Sequence, residues 1–180
     1  NLKNGDVIGS DPWLHSIDEV ERRKAAMTRK SVTLRAVTRN LVDRAWGKER
    51  PMPPAKPAEV HPLSLAGQSA TDKLKVVQDT LGDAGQDAVV LTMPDSVCWL
   101  FNIRGSDIPH TPVVLAFAIV PRRGKADLFI DPERVDAKTM AHLKPVARLF
   151  KPEKLKERLA APKAGRKTVR LAATSAAFWF

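Results

Sequence analysis

A single cysteine, Cys98, and no tyrosine occur in 180 residues. One thiol cannot build a disulfide framework or a cysteine-rich zinc site, and a reducing cytoplasm suits it. Aromatic residues make up only 6% of the chain, so no platform for stacking bases is visible. That scarcity argues against the nucleic-acid partner that a formal charge of +10 would otherwise suggest. The basic residues are also scattered, over 22–24, 29–30, 122–123, 154–158 and 163–167, with acidic residues between several of them. Solvated helix faces account for them. No apolar run approaches the ~18–20 residues of a membrane-spanning helix, and the longest, residues 113–120, has the length of a strand. Neither a nucleic-acid nor a membrane partner is expected. No signal-peptide pattern is visible. Gly5-x-x-x-Gly9 lacks the Lys-Ser/Thr of a phosphate loop. His15, His61, His110 and His142 lie far apart, without metal-ligand spacing. Internal repeats and low-complexity stretches are absent.

What is present reads as alternating strands and helices. Residues 6–9 end a short strand. Ser16 and Glu19 form a capping box for a helix running to about residue 30, with Ile17, Val20 and Met27 inward. Residues 32–37 alternate as a strand, and Asn40 caps a short helix whose inner face includes Leu41, Val42 and Trp46. Four prolines follow within residues 51–57, an extended segment that cannot supply ladder donors and marks a domain boundary. A second capped helix starts at Ser69, with Leu74, Val77 and Leu81 on one side and Gly82 and Gly85 at its end. Residues 88–93 form a buried strand. Pro94 opens a helix with Val97, Leu100 and Phe101 inward, and in it Cys98 is a buried structural thiol. Residues 112–120 read as a long central strand, 122–125 as a hairpin turn and 126–130 as the returning strand. A helix over 135–143, a strand over 147–150, a helix over 152–159 and a strand over 168–172 complete the pattern, with a further helix from Thr174. This is an α/β layered fold with a mixed sheet. Position 1 is not Met and the chain closes on apolar Ala176-Ala177-Phe178-Trp179-Phe180, so both ends are read as cut. The first sixty or so residues are accordingly expected to pack incompletely. Trp13 is expected in the core.

One stretch stands apart: Cys98-Trp99-Leu100-Phe101-Asn102-Ile103-Arg104-Gly105-Ser106-Asp107-Ile108-Pro109. It places Arg, Ser and Asp around a glycine between two apolar elements, where a buried turn needs none of them. Loops carried on a rigid scaffold are where binding residues collect. The same stretch, followed by an apolar strand, resembles the second domain of three-domain Xaa-Pro aminopeptidases of the creatinase/prolidase superfamily. Three further stretches fit in the same order: Asp11-Pro12-Trp13-Leu14-His15, Asn40-Leu41-Val42-Asp43-Arg44-Ala45-Trp46, and His61-Pro62-Leu63 running into Ala66-Gly67-Gln68-Ser69.

The resemblance implies a creatinase/prolidase N-terminal fold, with residues 1–50 as the closing part of a first, truncated domain, 51–60 as a proline-rich linker and 61–180 as a second domain of the same type. It implies a full-length parent that is a cytoplasmic, homodimeric metallopeptidase cleaving peptides whose second residue is proline. Such a parent uses two divalent ions, manganese or zinc, held by a catalytic domain. This chain has no Asp-Gly-Thr-x-Asp strand, His-Gly-x-Gly-His turn or paired late glutamates, so no metal ligand is carried over and no catalysis is expected of it alone. Its partners would be its own catalytic domain, a second copy and, in the parent, the peptide. The resemblance places Arg104, Asp107 and His110 near the mouth of the substrate cleft. Arg104 would orient a peptide carbonyl or a cleft carboxylate, Asp107 would hold Arg104 or cap the turn, and His110 would line the entrance. The alternative is a stand-alone interaction domain of the same scaffold without enzyme activity.

Overall fold

The computed structural model describes residues 2–164 and 167–180, the side chains of 161–164 excepted, so much of the basic cluster at 163–167 lies outside the described residues. The chain divides into two compact units. One comprises residues 1–53 with Ala172–Phe180, the other Pro54–Leu171.

In the first unit, β1 (Val7–Ser10) pairs in parallel with β2 (Thr33–Ala36), and α1 (Ile17–Thr28) connects them. The capping box forms as expected: the Glu19 amide donates to Ser16 Oγ, and Glu19 Oε2 accepts from the Ser16 amide. The amide bond to Ser16 is the main reason the Glu19 carboxyl sits below its ordinary value. α2 (Leu41–Trp46) follows, capped by Asn40, whose side chain accepts from the Val42 amide. Its expected inner face is not buried: Leu41, Val42 and Trp46 are all exposed. A two-stranded sheet offers no broad layer for a second helix to cover. Residues from Thr174 do not form a helix. The Phe178 amide donates to His15 O and the Trp179 amide to Pro12 O, which holds the segment against the loop before α1. The sequence division assigned this segment to the second region; in the structure it packs with the first. Trp13 stacks on Trp179 at 4.2 Å but stays 44% exposed, so it is a surface pair and not a core residue.

The second unit begins within the proline-rich segment. Its non-proline residues have donors, and these are used: the Ala58 amide donates to Arg134 O, and Ala58 is buried. Ala58 is thus already bonded into the unit that begins at Pro54. β3 (Glu59–Val60) and the short α3 (Leu63–Ala66) come next, neither anticipated from the sequence. They lead into α4 (Ala70–Asp83), β4 (Ala88–Leu91), α5 (Pro94–Phe101) and β5 (Ile103–Arg104), which pairs antiparallel with β3. β6 (Phe117–Pro121), β7 (Ala126–Phe129), α6 (Ala137–Leu143), β8 (Ala147–Phe150), α7 (Leu155–Ala164) and β9 (Val169–Arg170) complete it. The main sheet has the order β8-β7-β6-β4-β9, with parallel pairs at both edges and antiparallel pairs between.

Period-two alternation sorts this sheet's side chains. One face carries Ala118, Val120, Ala126, Leu128 and Ala147, which join Leu74 of α4, Val97, Leu100 and Phe101 of α5 and Leu143 of α6 in a single core. On the other face the buried Asp127 pairs with Arg148 of β8 and Arg158 of α7. The expected strand over 112–120 joins the ladder only from Phe117. Val113, Val114 and Ala116 before it are buried, but the amides of Val113, Val114 and Leu115 are bonded outside the ladder.

Candidate functional site

α5 ends at Asn102, whose φ of 49° and ψ of 51° are left-handed. Asparagine is one of the few residues with a side chain that accepts this conformation readily. Buried here, it makes bonds in three directions. Its Oδ1 accepts from Lys73 Nζ at 2.7 Å, its Nδ2 donates to Gln68 O at 2.8 Å, and its carbonyl accepts from the His61 amide at 2.8 Å. Lys73 is only 3% exposed. It also donates to Trp99 O at 3.0 Å and lies 4.8 Å from the Trp99 ring centre. Arg104 Nη1 donates to Cys98 O at 3.2 Å and Ile103 O at 2.8 Å. His142 Nε2 meets Phe101 O at 2.8 Å, and because a carbonyl only accepts, that nitrogen carries the proton. Three basic side chains thus serve the last carbonyls of α5, where the helix dipole favours positive charge.

The crowding of cations has a cost. Burial, then the nearby Arg104 charge, holds Lys73 below its ordinary pKa. Desolvation, Arg104 and Lys73 together lower His61. Cys98, 1% exposed, accepts at Sγ from the Val114 amide at 3.3 Å, and burial pushes its thiol up, so it is the inert structural thiol expected.

After Arg104 the chain passes Gly105 with almost no room. A Cβ there would lie 2.7 Å from Val114 Cγ2 and 3.3 Å from the carbonyls of Pro57 and Val113. Glycine is required by this close approach and not by its dihedral angle. Asp107 follows, with a side chain wholly removed from solvent. One carboxylate oxygen accepts from Leu115 N at 2.7 Å and pairs with Arg134 Nη2; the other accepts from Lys56 N at 3.3 Å. Asp107 therefore does not hold Arg104. It ties the turn to residues 56 and 115 and takes its charge partner from the helical turn Pro132–Arg134, whose Arg134 Nε also donates to Lys56 O. Its carboxylate is thus fully engaged within the chain. His110 sits exposed at the tip of the turn closed by the Ile108–Thr111 bridge, with a left-handed φ of 60°. The structure thus brings Arg104 and Asp107 to opposite ends of one short loop with His110 beyond them, and it does not gather the three into a single constellation.

Sequence reasoning missed Lys73, Asn102 and Arg134. Lys73 did leave a signal, because it occupies the inward stripe of α4 beside Ala70, Leu74, Val77 and Leu81. A lysine inside an apolar stripe is unusual unless it is partnered. Arg134 left none. An open apolar groove shares Trp99 and is lined also by Val77, Leu91, Asp95, Ser96 and Leu100. Among the described residues no group of three or more His, Cys, Asp or Glu side chains could hold a metal ion. No helix among them is long and apolar enough to cross a membrane. The residues present do not fit a dinuclear metal centre, and none is assigned to them.

Comparison with known proteins agrees with this architecture. The chain is 37% identical over 141 residues to a probable Xaa-Pro aminopeptidase P of Neosartorya fischeri, covering 78% of this chain and 21% of that protein. It is 38% identical over 144 residues to aminopeptidase P2 of Arabidopsis thaliana, covering 79% and 20%. The chain spans about a fifth of the length of these relatives. A crystal structure of X-prolyl aminopeptidase from Caenorhabditis elegans, described as a cytosolic enzyme with a di-nuclear active site, superposes with a TM-score of 0.88 at 29% identity, over 99% of this chain and 30% of that one. The model of the creatinase/prolidase N-terminal domain matches residues 49–180. With a matched region that takes in the mixed sheet, the Asn102–Arg104 site and the loop of Asp107, the chain belongs to the creatinase/prolidase N-terminal domain family.

Proposed function

We propose that this chain is the non-catalytic N-terminal part of a metal-dependent aminopeptidase that removes the first residue of peptides with proline second. Water would be added across that amide bond, releasing a free amino acid and a shortened peptide that begins with proline. The observation that supports this reading most directly is the likeness to Xaa-Pro aminopeptidases at 37–38% identity across nearly four-fifths of the chain. In this reading the two divalent ions, manganese or zinc, and the catalytic residues belong to a separate domain. The described residues would shape the cleft that admits an extended peptide N-terminus. The protein would work in the cytoplasm as a homodimer, without a nucleic-acid or membrane partner.

Arg104 is the residue of this chain assigned to the cleft. Its guanidinium is half-buried, rigidly held through Nη1, and not consumed by a carboxylate. His110, on the exposed tip, would line the entrance. Asp107 acts at one remove, as a positioning residue that fixes the loop following Arg104. In the full-length protein, Arg104→Ala should lower kcat/KM roughly ten- to a hundredfold, as expected for a lost charge-assisted bond. Arg104→Lys should restore little, because an ammonium has no planar fork. Unchanged kinetics in Arg104→Ala would remove Arg104 from the cleft. A full-length protein without peptidase activity on any Xaa-Pro peptide would favour an interaction domain on the same scaffold.

A further inference from the structure

Capping the end of α5 accounts for only part of what Arg104 offers. Both donors of Nη1 go to carbonyls, while Nε and Nη2 have no partner among the described residues. Those two nitrogens share one edge of the guanidinium and present parallel N–H groups, the spacing that matches two oxygens of one carboxylate. The charge around this edge is unbalanced. Lys73 is buried on the same helix end and is bonded only to neutral oxygens. His61 hangs its backbone on Asn102 and senses both charges. No described carboxylate pairs with Arg104, Lys73 or His61. Glu59 lies directly across the β3–β5 ladder from Arg104, yet it forms no ion pair with it. Removing a cation from water without an anionic partner is costly, and Lys73 is buried in this way with the half-buried Arg104 beside it.

We propose that the free Nε/Nη2 edge of Arg104, with Lys73 and His61 on the same helix end, is a binding site for a single carboxylate group. The site goes beyond the cleft reading, because every residue it uses is in this chain and it requires no catalysis. The edge supplies two parallel donors in one plane, which match the two oxygens of a carboxylate. The carboxylate could come from the C-terminus of a free peptide or from an Asp or Glu side chain on another protein surface.

The test is a titration of this chain, labelled with 15N-arginine, followed at the Arg104 Nε–H resonance, which is assigned by its loss in Arg104→Lys. Sodium acetate, with ionic strength held constant by chloride, should shift that resonance saturably at millimolar concentrations. Acetamide, of the same shape and no charge, should not. Lys73→Met should weaken binding about threefold or more; if that variant does not fold, the wild-type contrast between acetate and acetamide still decides. Two neutralised peptides then separate the sources, acetyl-Gly-Gly-Gly with a free C-terminus and acetyl-Gly-Glu-Gly-amide. Tighter binding of either supports the site and names its source. A linear, unsaturable shift, or equal shifts from acetate and acetamide, would overturn the proposal.

Discussion

Helices α2 and α5 make comparable local arguments for a helix and end in opposite environments. α2 has the better start, with Asn40 bonded to the Val42 amide, yet Leu41 and Val42 are 76% and 62% exposed. α5 lacks a side-chain cap and relies on Pro94 in its first turn, yet Val97, Leu100 and Phe101 are fully buried. What differs is the layer each can cover. The first unit offers two parallel strands and buries only Val20, Val32 and Ala176 among its described apolar residues. The second offers five strands, and its core runs through α4, α5 and α6. Local signals place a helix, and the width of the neighbouring sheet decides whether its apolar face is buried.

The contrast should be sharpest for polar groups, since among the described residues only the second unit holds an ion pair whose carboxylate, that of Asp107, is wholly removed from solvent. Arg134→Ala would leave Asp107 charged and unpaired, and should cost about 3–5 kcal/mol. Urea unfolding followed by 19F NMR of 5-fluorotryptophan can measure this. Trp99 is the one tryptophan within Pro54–Leu171, so its resonance reports that unit. Next in size is a pair of leucines. Leu100→Ala should cost about 2–5 kcal/mol, whereas Leu41→Ala should change stability by no more than about 0.5 kcal/mol. Equal effects in thermal unfolding would erase the distinction between the two helices.

The smallest expected effect is on pH dependence. The folded pKa of Lys73 lies below the 10.5 of the unfolded chain, chiefly through burial. Between those two values the unfolded state binds more protons, so stability rises with pH. Below the folded value both states are charged and the full penalty remains. Lys73→Met should flatten this rise in urea titrations repeated across the alkaline range, and an identical slope in both proteins would show that Lys73 is not strained.

The sequence made the capping box at Ser16 legible because both of its partners lie within four residues. It also made β6 and β7 legible, as apolar segments of strand length on either side of a hairpin turn. The failures have physical causes. Residues 113–116 look like strand, but the Val114 amide goes to Cys98 Sγ and the Leu115 amide to Asp107. An apolar run reports burial and cannot report which acceptor each amide finds. The helix expected from Thr174 is replaced by bonds to Pro12 and His15, some 160 residues away in sequence. At the site, Arg104 stood out because its neighbours are local. Lys73 to Asn102 and Asp107 to Arg134 are separated by 29 and 27 residues, distances over which no spacing rule operates.

Native-state hydrogen exchange tests the central contrast most directly. The ladder amides of β6 and β7 should exchange slowest, near the limit set by global unfolding of their unit, while those of β1 and β2 should exchange through smaller local openings. Protection in β1 and β2 equal to that in β6 and β7 would contradict the account, because a two-stranded parallel sheet with exposed faces would then be as well held as the core of the five-stranded one.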